Sequence, residues 1–276
     1  MRLLRAELGK LRRPLSWAVA GAAIVFCVLL AVGGAHNAMG SAGAAAVARQ
    51  LSPVAAGAEA AGLLASLPGA LAIALLAGGH IGGEWSGRTM KTLLTQHGRR
   101  WAVLAAKLAS LWLAGVALLA ACWLALAAAG PVLSRLDHLP AAHQPLSQAA
   151  ALALSQLGRA LLVLAMFAAI GLLSATLTRN TIGTMASTAG IFIGMLLAAS
   201  WPGVGRWSPA TWVQSWMRFP AGLGSVTSLP TNFWSRFISA SGGAPGQLAG
   251  LAGLLGLLAV CLAVTVRIFA RADVSG

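Results

Sequence analysis

Apolar residues run along this chain in six long blocks, at about 15–35, 60–80, 101–129, 160–178, 182–200 and 247–268, separated by polar or glycine- and proline-rich intervals. At 1.5 Å rise per residue, a helix over each block crosses roughly 30 Å of hydrocarbon. Backbone amides in lipid must be satisfied within their own segment, so the blocks are predicted as helices. Residues 1–14 follow another pattern. Leu3, Leu4, Leu8 and Leu11 share one helical stripe, while Arg2, Arg5, Lys10, Arg12 and Arg13 occupy most of the remaining surface. That is the pattern of a short helix lying at headgroup level, broken by Pro14. The expectation is an all-α polytopic membrane protein, with an interfacial helix over 1–14 and a single domain of six transmembrane helices over 15–276.

The intervals differ in character. Residues 36–59 are rich in Gly, Ala and Ser and offer little to pack, and residues 130–147, with three prolines, read as irregular connection. Residues 146–158 read as a surface helix or as the outer end of the fourth span. Arg159, cheap near an interface and costly at the bilayer centre, favours a start at 160. Residues 201–246 hold Trp201, Trp207, Trp212, Trp216 and Trp234, interrupted by prolines. Their runs are too short for another span, and indole favours the headgroup level, so short outer re-entrant or interfacial helices are expected there.

Composition agrees. Apolar residues make up 58% of the chain and charged residues 9%, against about 25% charged in soluble domains. The formal charge is +14, but the basic residues sit mainly in short intervals between apolar blocks, which argues for orientation in a membrane and against nucleic acid. Segments 1–14, 81–100, 179–181 and 269–276 are the basic ones, with Lys107 and Arg267 within snorkelling reach. This predicts both termini on the cytoplasmic side of the plasma membrane, with the coupling of any soluble partner falling on loop 81–100. Cys27, Cys122 and Cys261 each lie in a different apolar block and read as small apolar fillers.

Little in the chain suggests catalysis. There is no HExxH, and no histidine accompanies the hydroxyls of the spans at helical spacing. No metal or cofactor site is expected. The sparse charges of the spans mark no ion or proton relay, which points to an external energy source. A substrate path would then be apolar, with Phe26, Met166, Phe167, Met185 and Met195 as candidate lining, although ordinary packing explains each of them too. Such a path suits lipid-like or amphiphilic cargo. A non-transporting membrane scaffold or immunity-type protein is the alternative, and an intramembrane enzyme a more distant one. Gly246, Gly250, Gly253 and Gly256, like Gly190 and Gly194, are spaced for close helix approach, within one subunit or between two.

The loop between the second and third blocks is the most specific stretch: GGEWSGRTMKTLLTQHGRRWAVLAAK, within residues 81–107. In a helix, Glu84 and Arg88 are four apart and can pair. The order of elements, from the basic amphipathic start onward, resembles that of the ABC-2 type permeases, the membrane subunits of one class of ABC transporters. The loop is similar to the family's pattern at Glu84, Thr89, Lys91, Leu93, Leu94, Arg99, Arg100 and Lys107. Weaker likenesses are LLSATLTRNTIGTMAS, 172–187, and SPATWV, 208–213. Where the family has glycine directly before Thr89, this chain has Arg88. The resemblance implies an exporter permease that pairs with a second permease subunit, as a homodimer or heterodimer. It also implies a short coupling helix that docks on an ABC ATP-binding subunit, with Glu84, Arg88, Thr89, Lys91, Leu93 and Leu94 at the contact. No G-x-x-x-x-G-K-[ST] occurs in the chain, so the ATP and Mg would be used by that partner.

Overall fold

The computed structural model describes residues 2–10, 12–39, 44–87, 89–90, 92, 100–140, 145–201, 203–217 and 245–271. It is an all-α bundle. The helices are α1 (Arg2–Lys10), α2 (Pro14–Ala38), α3 (Ala44–Gln50), α4 (Ala56–Leu64), α5 (Leu67–Ala77), α6 (Gly83–Ser86), α7 (Arg100–Leu136), α8 (Leu146–Thr178), α9 (Thr181–Ala199), α10 (Pro209–Met217) and α11 (Gln247–Arg271). A π-helical turn, Gly78–Gly82, joins α5 to α6. Five of these helices, α2, α7, α8, α9 and α11, are long and apolar enough to cross a membrane, and α4 with the helix from Leu67 to Ser86 makes a sixth if that bent pair is one span.

The helix α8 forms the centre of the bundle. Its most apolar stretch is 72% buried, against 17% for α2 and 22% for α9 and α11, so those three leave most of their surface on the outside of the bundle. The cause is legible in α8 itself. Met166 to Leu172 are buried on every side of the helix, and small residues there let neighbours approach. A Cβ at Gly171 would stand 2.8 Å from the Cβ of Ala77 on α5. Around α8 pack α4, α5, α7, α9 and α11.

Several expectations change. The second span is not one straight helix over 60–80: it starts at Ala56, breaks at Ala65–Ser66, bends by 61° and continues to Ser86. Leu67-Pro68-Gly69 explains the break, because proline fits the first turn of a new helix but not the interior of an old one. At Gly69 a Cβ would fall 2.0 Å from the carbonyl oxygen of Leu64, so the bend needs glycine. The interval 36–59 packs well, since Ala44, Val47, Leu51 and Ala55 are buried. The fourth span starts at Leu146 rather than 160, and α7 runs through Pro131 to Leu136. Arg159 lies within that helix without being stranded: its guanidinium donates to the carbonyl oxygen of Met217 at 2.9 Å and lies over the Trp216 ring.

Of the aromatic interval, the described part holds a single 3₁₀ turn, Gly205–Trp207, and α10. One face of α10, with Val213 and Met217 buried, packs on α11. The close approach rests on Gly250 and Gly253, where a Cβ would stand 2.8 Å from the Trp212 carbonyl oxygen and 2.5 Å from its ring. Those two glycines therefore serve packing within the chain. Residues 218–244, including Trp234, lie outside the described residues.

Candidate functional site

At one end of the bundle, four charged side chains and a histidine converge from segments far apart in the chain. Glu7 and Lys10 come from α1, His80 from the π-helical turn, Glu84 from α6, and Lys107 from the first turns of α7. Lys107 is fully buried, Glu7, His80 and Glu84 nearly so. The Lys107 ammonium pairs with Glu84 Oε2 and lies 3.3 Å from both oxygens of Glu7. Lys10 joins the same two acids, 2.8 Å from Glu7 Oε1 and 2.5 Å from Glu84 Oε1. Two carboxylates thus meet two ammonium groups, and each acid touches both bases.

His80 closes the cluster on its inner side. Its Nε2 lies 3.3 Å from Glu7 Oε2 and 3.2 Å from Ser110 Oγ. Ser110 gives its own proton to the carbonyl oxygen of Lys107, so toward His80 it can only accept. That assigns the proton to Nε2, shared between Ser110 and Glu7. Around Glu7, burial pushes the carboxyl's pKa up, but the hydrogen bond from His80 and the charges of Lys107 and Lys10 outweigh it, holding the value at about 2, below the ordinary 4.5. Lys10 is desolvated as well, yet its bonds to Glu7 and Glu84 raise its pKa above 10.5. Burying this many charges is costly, and only near-complete mutual pairing makes it tolerable.

The four residues of α6 reach still further. Trp85 packs edge-on against Phe269 of α11 with ring centroids 6.2 Å apart, and the Arg179 guanidinium lies 5.3 Å from its ring centroid. Ser86 Oγ donates to Gly82 O and accepts from the backbone N–H of Thr181 at 3.2 Å. Thr181 begins α9, after a turn in which Arg179 adopts a left-handed conformation and the Asn180 side chain caps the Gly183 N–H. Here Gly82 is required: a Cβ would come within 2.7 Å of Asn180 O and Thr184 Oγ1. One turn of helix therefore touches α1, α7, α9 and α11 and the turn before α9.

The loop residues expected at a partner's surface divide. Glu84 is buried inside the chain, paired with Lys10 and Lys107, where the sequence had suggested an exposed i,i+4 partner in Arg88. Lys107 is buried too, and does not snorkel. Thr89 is exposed, and its hydroxyl donates to Glu84 O. Arg88, Lys91, Leu93 and Leu94 lie outside the described residues.

The five candidate path residues are scattered. Phe26 is partly exposed on α2; Met166 and Phe167 are buried in α8, the latter edge-on to Phe192 of α9; Met185 lies against Gly78; and the carbonyl of Met195 accepts from Ser208. None lines the small cleft between α2, α3, α4 and α7, with room of about 10 Å³, which is bordered by Cys27, Gln50, Glu59 and Leu126.

Sequence reasoning missed three members of these sites. Glu7 looked like one more polar position of an amphipathic helix, and His80 like a span end. Glu59 was assigned to a loop, although an acid inside the alanine-rich run AAGAEAAGLL signals a polar group placed in a packed helix.

The architecture, with five or six apolar helices long enough to cross a membrane, is that of a multi-pass membrane protein. A family model described as ABC-2 family transporter protein matches residues 3–196, from α1 through most of α9. The chain belongs to that family. No curated protein and no solved structure matches it.

Proposed function

We propose that this chain is the membrane-spanning permease subunit of an ATP-driven exporter in the plasma membrane. It forms the substrate path with a second permease subunit, identical or not, and is driven by a separate ABC ATP-binding subunit that uses ATP and Mg. Both termini and segment 81–100 face the cytoplasm, and the aromatic segment 201–246 faces outward. Family membership and the basic inner segments support this reading.

The observation that carries it is the position of α6. Immediately before the loop that resembles the family's coupling helix, this single turn is ion-paired to α1 and α7, stacked on α11 and hydrogen-bonded to α9. A displacement of Thr89 to Leu94 by an ATPase is passed to four other helices at once, because close-packed, glycine-seated contacts do not absorb small shifts. Glu84 thus acts as the internal anchor of the coupling element. Arg88, Thr89, Lys91, Leu93 and Leu94 supply the contact with the partner.

The test separates contact from anchor. The double variants R88A/K91A and L93A/L94A should lose ATPase copurification while the isolated chain melts as wild type does. Full copurification and full transport in both variants would return the loop to a solvated connector.

A further inference from the structure

The ionic cluster consumes the described acids at its end of the bundle. Glu7 and Glu84 are met by Lys10 and Lys107, with His80 beside Glu7, and these are the ion pairs formed among the described residues. The described arginines of the same end take no part in them. Arg12 and Arg13 lie in the turn between α1 and α2, Arg179 in the turn between α8 and α9, and Arg267 one turn before the end of α11. All four are exposed. Arg179 lies over Trp85, the neighbour of Glu84, and Trp85 meets Phe269, two residues beyond Arg267, so both arginines stand at the level of the cluster. The buried charges there cancel, and the exposed charge is a surplus of arginine.

Exposed apolar side chains adjoin these arginines on the flanks of long helices. The Trp17 N–H donates to Arg13 O, which sets an exposed indole one turn along α2 from that arginine. Arg179 stands between Leu177 and Ile182, both exposed, and Arg267 follows exposed Val264 by three residues on one face of α11. The Arg179 guanidinium is steadied by the Trp85 ring, 5.3 Å from its centroid, and stacking leaves its N–H edge for an acceptor. A cation at the end of an apolar lateral stripe matches a phospholipid: acyl chains lie along the stripe and the guanidinium reaches the headgroup. A soluble partner meets the end of the bundle, and does not call for apolar side chains on three separate flanks.

We propose that this end of the bundle binds anionic phospholipid, of the phosphatidylglycerol kind, through Arg12, Arg13, Arg179 and Arg267. The planar guanidinium fork matches phosphate with two parallel hydrogen bonds. A zwitterionic lipid has the same phosphate, but its own ammonium offsets the charge. An anionic lipid brings the net negative charge that the exposed surface lacks here. Each arginine near such a headgroup is worth about fivefold in affinity. Such binding depends on the membrane alone, and neither on transport nor on which side this end faces.

The experiment titrates the purified full chain, in neutral detergent, with phosphatidylglycerol or with phosphatidylcholine of identical acyl chains, and resolves bound lipids by native mass spectrometry. The wild-type chain should hold phosphatidylglycerol at least about tenfold more tightly. The combined variant R12Q/R13Q/R179Q/R267Q should bind it at least about tenfold more weakly, with phosphatidylcholine binding unchanged. If the combined variant does not fold, R12Q/R13Q, confined to an exposed turn, decides by losing part of the bound phosphatidylglycerol. R49Q, on α3 beyond the far end of α2, should behave as wild type. Inorganic phosphate in molar excess should displace no lipid. Equal affinity for the two lipids, a folded variant with wild-type phosphatidylglycerol binding, an equal loss in R49Q, or displacement by phosphate would overturn the proposal. So would loss of ATPase copurification from a variant whose phosphatidylglycerol preference is intact, which would give these arginines to the protein partner.

Discussion

The two buried acidic sites solve the same problem in opposite ways. Glu7 and Glu84, at one end, are each met by both Lys10 and Lys107, and the charge sums to zero within the chain. Glu59, toward the other end, is as deeply buried, and among the described residues its carboxylate has no hydrogen-bond or ion-pair partner. In the first case mutual pairing of charge fastens α1, α6 and α7 together; in the second the acid is left without such a partner among the described residues. Burial alone therefore does not identify a functional carboxylate in a membrane bundle. The informative quantity is how much of its charge the chain itself compensates.

That contrast can be broken most directly at Lys107. Lys107→Met removes the fully buried ammonium and leaves Glu7 and Glu84 with Lys10 alone, so the cost should be on the order of 3–5 kcal/mol. A drop of that size in unfolding free energy, measured in mixed micelles, is expected; an unchanged value would mean that the cluster is not a fastening. Acid should act on the same site. The Glu7 carboxyl is held at about 2, below its ordinary 4.5. Because the folded-state value is the lower one, its stabilisation is present above about pH 4.5 and is lost as pH falls toward 2. That is worth on the order of 3 kcal/mol, discounted by any competing protonation elsewhere. Unfolding measured between pH 6 and 3 should show the loss, and Glu7→Gln should flatten it.

Glu84→Gln keeps the shape and loses the charge, so a smaller cost of about 1.5–3 kcal/mol is expected from weakened bonds to two lysines. It should also lower coupled transport even where yield is restored by low temperature. The smallest effect belongs to the other region. Among the described residues Glu59→Gln removes no ion pair and no hydrogen bond, so it should change stability by less than about 1 kcal/mol in either direction. A large loss there would mean that Glu59 has a structural partner, and would erase the contrast between the two acids.

The apolar blocks of 15–35, 101–129, 182–200 and 247–268 were readable because helices in lipid need long uninterrupted runs, and the chain has them. A short helix at the start of the chain was equally visible, and α1 forms over Arg2–Lys10. What escaped depends on distance in sequence. Glu84 and Lys107 are 23 residues apart and Glu7 and Lys107 are 100 apart, so no helical spacing links them, and the nearest visible partner for Glu84 was Arg88. The bend at Ser66 was written in Leu67-Pro68-Gly69, but an average over hydropathy does not register a proline. Glu59 was hidden by the same averaging, since its alanine neighbours are too weakly apolar to mark α4 as part of a span.

The π-helical turn Gly78–Gly82 carries a consequence for alignment along the second span. Such a turn holds one residue more than an α-helical turn would, and this shifts the phase of everything after it. Rewinding the same residues as a regular α-helix, with none removed, would swing Glu84 by about 100° around the axis. Its carboxylate would then leave the side on which Lys10 and Lys107 wait. Winding, and not only residue identity, is thus a fixed property of this stretch: the wide turn sets the azimuth at which the helix delivers its acid.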